Sequence, residues 1–95
     1  MTNNVNADAV PKYPDLLNPT LIALHALGGS ASIREIVNQV IEDMGLSAAI
    51  IQIPHGQTSR TELEYQLAWA RTYLKNYGLI ESSERGVWSL TAKGQ

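Results

Sequence analysis

Ninety-five residues provide one domain and leave no room for a second core. A hydrophobic content of 44% excludes general disorder, and the lack of cysteine excludes disulfides and thiolate metal sites and fits a reducing cytoplasm. No apolar run approaches the roughly 20 residues of a membrane span, and the formal net charge of −2 argues mildly against nucleic acid as a partner.

The opening MTNNVNADAVPK lacks the basic start and apolar stretch of a secretion signal and reads as a disordered leader over residues 1–12. Domain structure is expected from residue 13 onward. Asp15 or Asn18 can cap a first helix, with Pro19 in its opening turn and Leu17, Leu21, Leu24 and Leu27 at helical spacing before Gly28-Gly29. Ser32-Ile33-Arg34-Glu35 is a capping box that opens a second helix. Its apolar stripe is Ile33, Ile36, Val37, Val40, Ile41 and Met44, and Gly45 stops it. Residues 47–53 suit a short helix capped by Ser47, although Ile50, Ile51 and Ile53 also suit a strand, and Pro54-His55-Gly56 breaks either.

A third main helix begins near Thr61, where Thr61-Glu62-Leu63-Glu64 repeats the capping box. Leu63, Leu67, Ala70, Leu74 and Tyr77 form its core stripe, Arg71 sits at the border, and Gly78 ends it. Leu79 to Ser82 and Val87 to Thr91 read as strands joined by Ser83-Glu84-Arg85-Gly86, and Thr91 to Gly94 as a closing turn. An isolated hairpin is marginal in water, so one face must lie on the helices. Three helices followed by a terminal ribbon predict an α+β winged helix-turn-helix with a two-stranded β-hairpin wing.

The residues also resemble one family. WARTYLKNYGLIE (Trp69 to Glu81) followed by RGVWSLTAKG (Arg85 to Gly94) is similar to the N-terminal domain of the Mrr restriction-system proteins. SIREIVNQVIEDMGLS upstream is similar to that family's second helix, and the resemblance covers residues 13–95. It implies a winged-helix module that binds double-stranded DNA, methylated or not, in a bacterial-type system that restricts foreign DNA. It also implies a nuclease domain later in the same longer chain or in a partner. The family's metal-dependent nuclease residues have no matching positions here, so no catalysis, cofactor or metal is expected. A monomer or weak dimer is expected. A protein–protein contact module and a transcriptional regulator are the competing readings, since one fold serves many functions.

In a winged helix the third helix enters the major groove. The residues expected to face DNA there are Arg60, Thr61, Tyr65, Trp69 and Thr72, with Ala68 between them. Arg60 is the leading candidate, because a guanidinium can bond guanine O6 and N7 together. An aromatic such as Tyr65 can contact a thymine or 5-methylcytosine methyl, whereas packing on residues 47–53 is the plainer role for Trp69 and Tyr73. Arg85 at the ribbon tip can reach a phosphate or a narrow minor groove. Ser32 and Arg34, at the start of the second helix, can hold a phosphate, and Lys93 adds a cation near the ribbon. Glu62 and Glu64 read as helix-capping acids, and His25 and His55 as structural or solvated. Acids outnumber bases up to residue 54, whereas the bases Arg60, Arg71, Lys75, Arg85 and Lys93 exceed the acids after it by one, which leaves that half close to neutral, so binding should be weak and salt-sensitive.

Overall fold

The computed structural model describes residues 7–95, and the helix boundaries within them follow capping chemistry. Helix α2 (Ile33–Met44) starts at Ser32, whose hydroxyl accepts from the Glu35 N–H at 3.1 Å while the Glu35 carboxylate accepts from the Ser32 N–H at 2.9 Å. Helix α4 (Glu62–Asn76) repeats the device with Thr61 and Glu64, at 3.2 and 2.8 Å. Each reciprocal pair satisfies two N–H groups that a helix start otherwise leaves open. Gly45 ends α2 at φ 63°, in the left-handed region that side chains resist. Ser47 caps α3 (Ala48–Ile51), so the segment that suited helix or strand is a short helix.

Helix α1 (Tyr13–Ala26) departs from expectation. It starts after Lys12, upstream of Asp15 and Asn18, with Pro14 in its first turn and Pro19 well inside. Proline at the start is cheap because that N–H has no helical partner, whereas Pro19 removes one interior bond. The earlier start turns a different face inward: Leu16, Thr20, Ala23 and Leu24 are buried, while Leu17, Leu21 and Leu27 are half-buried. Thr20 is tolerated there because its hydroxyl donates to the Leu16 carbonyl at 2.7 Å. Within the expected leader, Ala7–Ala9 form a 3-10 turn, and Val10 is 2% exposed in the core. Residues 1–6 of that leader lie outside the described residues.

Strands β2 (Ile80–Glu84) and β3 (Val87–Leu90) form the expected antiparallel ribbon, Ile80 opposite Leu90, with an irregularity between Ser82 and Glu84. Gly86 makes the tip turn at φ 77°. A third strand, β1 (Ser30–Ser32), pairs with the other side of β3 and gives the order β1-β3-β2. Two serines around one alanine carry almost no apolar alternation, so this strand is defined by its partner. Ala31, opposite Trp88, is buried.

The protein is thus an α+β winged helix. Leu16 and Leu24 of α1, Ile36 and Val40 of α2, and Leu63, Leu67, Ala70 and Leu74 of α4 share one core with Ile80 and Leu90 of the ribbon. Tyr77, expected in that stripe, is 54% exposed, because α4 gives way to its C-terminal cap there. The closing turn ties the ribbon to that cap: the Thr91 hydroxyl donates to the Gly78 carbonyl, and the Thr91 N–H donates to Leu79. A Cβ at Gly94 would collide with the Leu79 carbonyl, which accounts for a glycine there. No helix among the described residues is long and apolar enough to cross a membrane.

Candidate nucleic-acid interface

The outer side of α4 carries an open groove of about 330 Å³ lined by Arg60, Tyr65, Ala68, Trp69 and Thr72. Their spacing explains the grouping. Positions 65, 68, 69 and 72 are neighbours on one helical face, opposite the stripe that fills the core. Arg60 precedes the cap and lies over the first turn, its guanidinium 3.5 Å from the Glu64 carbonyl.

Other expected site residues have partners in the free protein. The Thr61 hydroxyl is engaged in the cap of α4, and the Ser32 hydroxyl in that of α2. The Thr72 hydroxyl donates to the Ala68 carbonyl at 3.0 Å. The Lys93 ammonium donates to the Tyr77 carbonyl at 2.9 Å, at the negative end of α4. Arg34 is exposed in the first turn of α2 and lies within electrostatic reach of Glu64. The Thr61 N–H bond, with the nearby charges of Arg34 and Arg60, holds the Glu64 carboxyl below its ordinary value against the effect of burial. Arg85 is exposed at the ribbon turn and is not among the residues that line the α4 groove.

The aromatic residues of α4 form a row of ring contacts. Tyr73 stacks on Tyr13 with ring centroids 4.7 Å apart and an interplanar angle of 5°. Trp69 is 43% exposed and sits between Tyr65 and Tyr73, with centroids 6.5 and 6.2 Å away. Tyr65 and Trp69 line both this groove and a second hollow of about 450 Å³ bounded by Tyr13, Pro14, Gln66 and Tyr73.

Sequence reasoning missed a polar chain through the base of this site. His55 stacks on Tyr65 at 3.7 Å, and its Nδ1 lies 2.7 Å from the Glu62 carboxylate. The other Glu62 oxygen accepts from the Gln66 amide at 2.7 Å, and Gln66 accepts from the Tyr13 N–H at 2.9 Å. Glu62 is therefore buried and bonded to side chains, where a helix-capping acid was expected. Burial alone would raise its pKa, but the Gln66 amide and the His55 ring outweigh it and leave the carboxyl below its ordinary value. The Tyr13 N–H opens α1, whose N-cap Lys12 makes no side-chain cap bond, so Gln66 provides that function from α4. Two polar residues four apart, Glu62 and Gln66, were the available signal.

Arg71, placed at the border by the periodicity, is only 6% exposed. Its Nε and Nη1 are buried without hydrogen-bond partners. The guanidinium carbon lies 5.9 Å from the Trp88 ring centroid on the wing, a loose cation–π contact. Burial, with the repulsion of Arg60, lowers its pKa. Leaving such donors unpaired costs about 1–3 kcal/mol, more where the group is charged. Among the described residues, no group of three or more His, Asp or Glu side chains is arranged to hold a metal ion.

Comparison with protein-family models matched the Mrr N-terminal domain over residues 13–95. Comparisons with curated proteins and with solved structures found no match.

Proposed function

The chain belongs to the Mrr N-terminal domain family, and on that premise we propose that it binds double-stranded DNA for a restriction system. Chemistry would fall to a nuclease domain attached to it or acting beside it. The observation that carries this reading is the α4 groove, which Arg60, Tyr65, Trp69 and Thr72 line together along the helix that a winged helix presents to the major groove. Arg60 reads a base edge, Tyr65 offers an apolar edge to a thymine or 5-methylcytosine methyl, and Arg34 and Arg85 meet phosphates on either side. Targets would be foreign or methylated duplexes.

Titration of labelled duplex at two salt concentrations tests it. Affinity should fall steeply as salt rises, because phosphate contacts release counterions. No binding at low salt would discard the proposal. Methylated and unmethylated duplexes in the same assay decide methyl selectivity, and equal affinity would remove it from this domain.

A docking surface for protein has one specific observation in its favour. Trp69 and Tyr77 are exposed on a chain of net charge −2, and exposed aromatics suit protein contacts. Binding that persists at high salt, to protein and not to duplex, would select that reading.

A further inference from the structure

The most unusual group in the molecule lies outside the groove just described. Arg71 has an unbranched stem that would let its charge reach water, yet the residue is 6% exposed. Two of its guanidinium nitrogens lack partners, and no carboxylate forms an ion pair with it among the described residues. The Trp88 ring centroid lies 5.9 Å from its guanidinium carbon, and the like charge of Arg60 is within electrostatic reach. A buried cation is normally paired, and each exception calls for a reason. Leu67, Ala70 and Leu74 on the same helix are buried and apolar and offer it no side-chain acceptor.

We infer that Arg71 is a phosphate-binding residue, retracted beside Trp88 of the wing until a nucleic-acid strand supplies its missing partner. This rests on the duplex-binding reading above and adds a contact to it. The guanidinium fork matches phosphate oxygens in pairs, so one anion can satisfy several of its donors. An anion beside Arg71 also relieves its repulsion with Arg60. Phosphate suits the site better than a protein carboxylate. A duplex strand presents one charge every ~3.4 Å of rise, so a phosphate can meet Arg71 while Arg60 reads a base edge of the same duplex.

The test uses the full 95-residue chain, with Arg71→Met and Arg71→Lys beside the wild type. In the absence of DNA, Arg71→Met should melt at or above the wild-type temperature, because it removes an unpaired buried charge. Its duplex affinity should drop about tenfold for every sequence, with the slope of log K against log salt shallower by about one. Arg71→Lys should keep the wild-type slope, since the charge remains, and bind less tightly, since the fork is gone. Failure of Arg71→Met to fold would make the cation structural and overturn the inference. So would a methionine variant that binds duplex with wild-type affinity and slope, and in that case the duplex reading would stand. A wild type that binds no duplex at low salt would remove both.

Discussion

The two ends of helix α4 treat polar groups in opposite ways. At its start every polar side chain near the core has a partner: Thr61 with Glu64, Glu62 with His55 and Gln66, Gln66 with the first N–H of α1. Two turns further on, Arg71 is buried with two nitrogens unpaired. Satisfied networks fix geometry, because each member loses a bond if any other moves. An unsatisfied charge fixes nothing and favours whatever brings it a counter-ion. The start of α4 therefore reads as the frame that holds Arg60 and Tyr65 in place. Under the inference above, Arg71 beside the wing is the part whose state depends on a ligand.

The largest effect should come from breaking the frame. Glu62→Ala leaves the Gln66 amide unpaired in the core and the His55 ring without its acceptor. It should cost about 2–3 kcal/mol in a urea or thermal unfolding titration. A loss below about 0.5 kcal/mol would mean that the network is incidental and that the contrast between the two ends is illusory. Arg60→Ala, next in size, touches the groove and not the frame. It should cost about 1–3 kcal/mol in duplex affinity and relax base preference while the melting temperature holds. A fall in stability with unchanged binding would move Arg60 from the interface into the frame.

The difference between the two ends also tracks what the sequence disclosed. Both capping boxes were legible because their partners lie three residues apart, and a short reach in sequence is a short reach in space. The core face of α4 from Leu63 to Leu74 was legible from its period. The groove follows as the other side of the same wheel. What stayed hidden depends on contacts distant in sequence. Gln66 meets Tyr13, Ser30 to Ser32 become a strand only beside β3, and Arg71 is covered by a wing residue, Trp88. The buried face of α1 was misjudged for a related reason: the helix starts at Tyr13, where its opening N–H finds a partner on α4 and not in a nearby cap.

A smaller effect separates the cap from the network. Thr61→Ala removes the hydroxyl that accepts from Glu64 and leaves the buried chain of Glu62 and Gln66 intact. It should cost about 1 kcal/mol. Hydrogen exchange should rise in the first turn of α4 and stay slow around Leu67 and Ala70, and a change spread evenly along the helix would show that the cap and the network act as one unit.

The smallest effect is a pH dependence, and its sign follows from the carboxylates. The folded protein holds Glu62 and Glu64 below the ordinary carboxyl value of 4.5. A group whose pKa is depressed on folding binds fewer protons in the native state than in the unfolded one. Its stabilisation is therefore complete above the unfolded value and drains away as the pH falls through the folded one. Melting temperature should thus be insensitive to these groups above about pH 5 and should decline through the region below pH 4.5. Glu62→Gln, which keeps an acceptor for the Gln66 amide but cannot ionise, should shallow that acid decline without abolishing it, because Glu64 still titrates. If the decline keeps its wild-type steepness, the bonds from Gln66 and His55 favour the neutral and the charged carboxyl equally. In that case the buried pair at the start of α4 positions the helix without storing any preference for charge.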